Sequence, residues 1–163
     1  ETIAVLDIEF SILEVPGHTL DHIAFYAPSE QALFCGDTLF AMGCGRLFEG
    51  DPEMMYRSLA KLSALPADTA VYCTHEYTQA NQRFALAADP ENPQLIVRAR
   101  EVDQTRAQSK PTLPSTIAME LATNPFLRCD KPAIQTSVST QLASEVTNPV
   151  EVFAQLRRWK DSF

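Results

Sequence analysis

No apolar run in the 163 residues is long enough to cross a bilayer, which excludes a membrane-spanning helix. Positive charge is also scarce, since 13 Lys and Arg against 21 Asp and Glu leave a net charge of −8. Such a chain is a poor partner for nucleic acid, because neutralising phosphates needs a basic face. Small molecules are the expected partners. The four cysteines, Cys35, Cys44, Cys73 and Cys129, form no C-x-x-C pair, so they spell neither a zinc ribbon nor a dithiol redox motif. Cys35 and Cys73 sit in apolar, strand-like runs and read as buried reduced thiols, so a reducing, cytoplasmic location is expected. There is no internal repeat and no low-complexity tract. Glu1 stands where a Met would begin a chain, and neither a secretory leader nor an Arg-rich transit segment follows it. The expectation is a processed or trimmed product.

What is present divides into two textures. From Thr2 to Thr74 the chain breaks into short β-rich pieces: Ile8, Phe10 and Ile12 alternate with polar residues, and His22 to Tyr26, Ala32 to Cys35 and Ala70 to Cys73 read as further strands. One helix interrupts them. Asp51-Pro52-Glu53 supplies a cap, a first-turn proline and an acid, Met55, Leu59, Leu62 and Leu65 recur at helical spacing, and Pro66 stops the run. After His75 strands become scarce. Thr78 to Ala88 and Gln94 to Ser109 read as helices split by Asp89-Pro90-Glu91-Asn92-Pro93, and a short third helix follows Ser115. The last helix is marked by Asn148, Pro149 and Glu151, a capping-box arrangement, and runs to Trp159 or beyond. An α/β (α+β) class is expected, with a strand-rich domain over 1–76 and a helical domain over 77–163.

The chain has three histidines. Pro16-Gly17-His18-Thr19, Cys35-Gly36-Asp37-Thr38 and Thr74-His75-Glu76-Tyr77 each follow a predicted strand, where loops aim side chains from neighbouring strands at a common point. Imidazoles with a carboxylate suit a divalent cation such as zinc, manganese or iron. Singly, each reads better as a polar residue at a turn; the repeated placement favours a site. His22 is assigned to hydrogen bonding within the core.

The segments Pro16-Gly17-His18-Thr19, Gly36 to Phe40, Gly43 to Gly50 and His75 to Thr78 resemble, in order and spacing, the glyoxalase II family of the metallo-β-lactamase superfamily. Leu113 to Thr116, Asn124 to Arg128 and Arg157 to Asp161 resemble glyoxalase II in particular. The resemblance implies the second half of an αββα sandwich followed by a small helical glutathione-binding domain. It implies two divalent ions, zinc first and iron or manganese as alternatives, with His18 on one, His75 on the other, and Asp37 as the bridging catalytic carboxylate. The family's upstream Thr-His-x-His-x-Asp-His loop is not in this sequence, which is therefore expected to be an inactive C-terminal portion. Arg46, Tyr77, Arg157 and Lys160 take the substrate-binding positions, while Phe48 stands where some members carry a hydroxyl-bearing aromatic.

The implied reaction is hydrolysis of S-(2-hydroxyacyl)glutathione, such as S-D-lactoylglutathione, to glutathione and a 2-hydroxy acid. Two other readings stay open. One is a related single-iron enzyme oxidising glutathione persulfide. The other is a non-catalytic binding or assembly module that self-associates through an open sheet face.

Overall fold

A computed structural model describes all residues from Glu1 to Phe163. Strands β1 (Thr2–Val5), β2 (Ile8–Glu14), β3 (Ile23–Ala27) and β4 (Ala32–Gly36) form an antiparallel meander. The β1–β2 link turns on Leu6 and Asp7, both with positive φ, the backbone twist that two-residue hairpins require. After a two-stranded hairpin, β5 (Leu39–Phe40) and β6 (Gly43–Cys44), helix α1 (Pro52–Ser63) crosses over to β7 (Ala70–Cys73), which pairs parallel to β4. The remaining helices are α2 (Thr78–Ala88), α3 (Pro93–Ala107), α4 (Ile117–Thr123), α5 (Pro132–Leu142) and α6 (Pro149–Ser162), with a 3-10 turn at Pro125–Leu127. With a last short strand, β8 (Ser115–Thr116), the large sheet has the order β1-β2-β3-β4-β7-β8.

Local chemistry sets most of these boundaries. The Asp51 carboxylate accepts the Met54 N–H at 2.8 Å and Pro52 occupies the first helical position, so α1 begins where its cap predicts. In α3, Asn92 accepts from Gln94 and Leu95, and in α6, Asn148 accepts from Val150 and Glu151. Only half of the expected capping box forms at α6, because the Glu151 side chain makes no return bond to the Asn148 N–H.

Three features depart from the sequence reading. His22 lies just before β3 and not inside it. The helical half contributes a strand, β8 (Ser115–Thr116), which pairs antiparallel with β7 at Ala70 and Val71; two residues are too few to show a period. Helix α5 is Ser- and Thr-rich and amphipathic only through Ile134 and Val138, four apart and fully buried, so tertiary packing and not propensity makes it helical.

One face of the sheet packs on α1 and α6. Ala24, Leu33, Cys35 and Val71 share a single core with Met55, Leu59 and Leu62 of α1, Ile117 of α4, Phe126, and Phe153 and Leu156 of α6. The core is continuous across the two textures. The other face carries a row set by register, Ile12, Phe25, Phe34 and Tyr72 on four adjacent strands. Phe34 and Tyr72 stack at 5.0 Å yet remain 43% and 39% exposed. Exposed aromatic surface of this kind favours association. The 163-residue chain is expected to elute as oligomers in size-exclusion chromatography and to shift toward monomer on Phe34→Lys with Tyr72→Lys. Monomer elution of the unchanged chain would show that this face drives no association.

Candidate functional site

The turns that end β2, β4 and β7 meet at one end of the sheet. Asp37 follows Gly36, whose φ of +55° aims the next peptide N–H at the His22 ring; a Cβ at Gly36 would lie 2.4 Å from His22 Nε2. His22 Nε2 accepts that N–H at 2.9 Å, so its lone pair is spent on the Asp37 backbone and is unavailable as a ligand. Burial, and then the neighbouring His18, lower the His22 pKa, as suits a ring held neutral in order to accept.

The Asp37 carboxylate is shared. Oδ2 lies 3.3 Å from His18 Nε2, and Oδ1 lies 3.6 Å from His75 Nε2. The Thr74 hydroxyl donates to Oδ1 at 2.7 Å and fixes the rotamer. His18 Nδ1 donates to the Arg46 carbonyl at 2.9 Å, which turns Nε2 toward the Asp37 carboxylate. An imidazole nitrogen and a carboxylate oxygen are both ligand types that a divalent cation takes. Two donors on one tetrahedral zinc, each about 2.0–2.2 Å from it, stand roughly 3.3–3.5 Å apart. The His18–Asp37 separation of 3.3 Å falls in that range and the His75–Asp37 separation of 3.6 Å lies just beyond it. The donor set is half of what such ions take, since no group of three or more His, Cys, Asp or Glu side chains converges on one point.

From this end a cleft of about 540 Å³ runs toward α6. Its lining includes His18, Asp37 and His75 at one end, and Arg46, Tyr77, Arg157 and Lys160 along the rest, so all seven residues singled out in the sequence share it. Tyr77, about half exposed, stacks on His75 at 4.9 Å and packs on Phe40 at 5.5 Å. Phe48 covers the His18 ring at 4.9 Å. The two helix cations differ. Arg157 is 3% exposed, donates to the Cys44 carbonyl at 3.1 Å and to Asp161 at 2.9 Å, and keeps only Nε unpartnered. Lys160 donates to the Asn81 side-chain oxygen, and burial together with the adjacent Arg157 pushes its pKa down to about 8.

Sequence reasoning missed the scaffold behind the cleft. Asn81 donates to the Ala41 carbonyl, Asn124 to those of Phe40 and Gly43, and Glu120 accepts the Met42 N–H. Arg157 takes the Cys44 carbonyl, so each residue from Phe40 to Cys44 has a backbone group held by a side chain of the helical half. Asn124 and its neighbours appeared in the sequence only as a family-like run, and no local pattern ties them to the hairpin.

Known proteins match this arrangement over the whole chain. The family model described as "Hydroxyacylglutathione hydrolase C-terminus" matches residues 76–163, and that of the metallo-beta-lactamase superfamily matches 1–75. The chain belongs to the hydroxyacylglutathione hydrolase family. It is 55% identical over 158 residues to a hydroxyacylglutathione hydrolase of Nitrosomonas eutropha, covering 97% of this chain and 61% of that protein. To one from Pseudomonas aeruginosa it is 54% identical over 164 residues, covering 100% of this chain and 64% of the relative. The chain thus spans about three-fifths of the length of these relatives. Among solved structures, the BLEG-1 B3 metallo-beta-lactamase matches with a TM-score of 0.52 at 25% identity, over 77% of this chain and 44% of that one. ETHE1 from Myxococcus xanthus matches at 0.56 and 22% identity, over 97% and 56% respectively, a likeness of fold alone. Membership of this superfamily implies divalent metal ions.

Proposed function

We propose that this chain supplies the Asp37-centred half of the metal site and the glutathione-binding wall of a hydroxyacylglutathione hydrolase. The observation that carries the reading is the single cleft that joins His18, Asp37 and His75 to Arg46, Tyr77, Arg157 and Lys160. In the whole protein the reaction is addition of water to S-(2-hydroxyacyl)glutathione, releasing glutathione and a 2-hydroxy acid such as D-lactate. His18 with one Asp37 oxygen would hold one divalent ion, and His75 with the other oxygen a second; zinc suits this nitrogen and oxygen set, as do iron and manganese. Such ions supply the positive charge that polarises a thioester carbonyl and makes water nucleophilic near neutral pH.

The chain's own residues do the rest. Thr74 holds the Asp37 rotamer, and the Arg46 carbonyl holds the His18 ring in the tautomer that leaves Nε2 free. Lys160 and Arg46 meet the tripeptide carboxylates, and Arg157 stands behind them in the same cleft, its guanidinium held by the Cys44 carbonyl and Asp161. Tyr77 packs beside them on the His75 ring. We read 1–76 as the partial metallo-β-lactamase-like domain and 77–163 as the helical glutathione-binding domain.

Lys160→Ala in the whole gene product tests this. Charge-assisted hydrogen bonds contribute on the order of 1.5–3 kcal/mol, so the KM for S-D-lactoylglutathione should rise roughly tenfold or more. The kcat should change little, the pattern of lost uniform binding. An unchanged KM with lowered thermal stability alone would show that Lys160 only complements the helix C-terminus.

A further inference from the structure

Lys160 is the cation of the cleft whose position is least explained by its own helix. The acid next to it in sequence, Asp161, is already engaged by Arg157 at 2.9 Å and faces Arg46 at 3.9 Å. Lys160 itself forms no ion pair, and its hydrogen-bond partner is a neutral amide oxygen, that of Asn81.

Asn81 lies in the first turn of α2 and is 5% exposed. Its Nδ2 donates to the Ala41 carbonyl at 2.9 Å while its Oδ1 accepts from the ammonium. The amide can adopt only this orientation, because its flip would set one donor against another and one acceptor against a carbonyl. The fit is close enough to forbid a side chain opposite: a Cβ at Gly43 would lie 2.6 Å from Asn81 Nδ2. On its other side the ammonium stands 5.4 Å from the centre of the Phe84 ring, also on α2. The charged or titratable groups that act on it are Arg157 and Asp161 from α6, and Cys44 and Arg46 from the hairpin and the loop after it.

We propose that Asn81 is a positioning residue, whose amide ties the Leu39–Cys44 hairpin to the Lys160 ammonium and so fixes the place of that cation in the cleft. The inference rests on the reading of Lys160 as a carboxylate-binding group. A neutral partner holds the ammonium without cancelling it, which leaves its full charge for an incoming carboxylate. A carboxylate at position 81 would hold it as firmly and compete with the ligand. Below about pH 8 Lys160 is charged and the cleft accepts anions; above it that attraction fades.

The experiment uses the 163-residue chain labelled at lysine, where Lys61, Lys110 and Lys131 are the only other signals. Lys160 is titrated by NMR in the unchanged chain, in Asn81→Asp and in Asn81→Ala, with glutathione affinity measured alongside at pH 7. Asn81→Asp is expected to raise the Lys160 midpoint by a pH unit or more and to weaken glutathione binding. Asn81→Ala should lower the midpoint and weaken binding severalfold. A folded Asn81→Asp variant with an unmoved midpoint overturns the proposal.

Should both variants fail to fold, the unchanged chain decides. Lys160 ammonium protons protected from exchange and in contact with Asn81 support the proposal, and a freely exchanging ammonium without that contact overturns it. Lys160→Ala separates the two claims: unchanged glutathione affinity there removes the carboxylate-binding reading, whereas the Asn81-dependent midpoint is measured without reference to any ligand.

Discussion

Replacing Glu120 with alanine is expected to destabilise the fold by about 3–5 kcal/mol, a large part of what holds a domain of this size together. Glu120 is fully buried on α4. Its Oε1 accepts from Arg98 at 2.6 Å and from Ser115, and its Oε2 accepts from the Met42 N–H at 2.9 Å and from Asn124 at 3.0 Å. Arg98 is itself 5% exposed, so truncating its partner leaves a guanidinium in the interior with hydroxyls alone for company. Glu120→Gln keeps the shape and loses the charge, and should fall between. Glu53, paired with Arg57 in solvent on α1, is the control, since Glu53→Ala should change stability by no more than about 1 kcal/mol. Urea denaturation reads all three. An unchanged midpoint for Glu120→Ala would mean that the buried network does not form.

The 163-residue chain is also expected to hydrolyse S-D-lactoylglutathione no faster than buffer does. A catalytic zinc takes three protein ligands and an open position. Here each ion would meet one histidine and one oxygen of a carboxylate that both must share. Lost ligands remove both charge and geometry, so after dialysis the chain should retain at most one equivalent of zinc by elemental analysis, and Asp37→Ala should abolish even that. Retention of two equivalents, or turnover comparable with that of the Pseudomonas aeruginosa relative, would show that the ligand assignment is wrong.

How much of this could be read beforehand follows from how far each signal reaches along the chain. Caps are local: Asp51, Asn92 and Asn148 mark their helices within three residues, and those helices begin where the caps stand. Strand β2 shows its alternation in Ile8, Phe10 and Ile12. The two-residue β8 cannot, and α5 hides behind serine and threonine until Ile134 and Val138 find the core. The site divides the same way. His18, Asp37 and His75 stand out because each follows a strand, whereas Asn81, Glu120 and Asn124 act across 40, 78 and 81 to 84 residues of chain, on carbonyls and an N–H that no side-chain pattern reveals. Arg157 and Lys160 look equivalent as neighbours on one helical turn. Only packing separates a guanidinium tied to Cys44 and Asp161 from an ammonium facing the cleft.

The grip of the helical half on residues 40–44 bears on recombination. The two family models meet between residues 75 and 76, a natural place to join halves from different relatives. A crossover there would inherit the hairpin from one parent and its five anchoring bonds, from Asn81, Glu120, Asn124 and Arg157, from the other. Chimeras should tolerate that junction only when Gly43 and the facing asparagines arrive together, so the unit of inheritance is the hairpin with its anchors and not either half of the sequence.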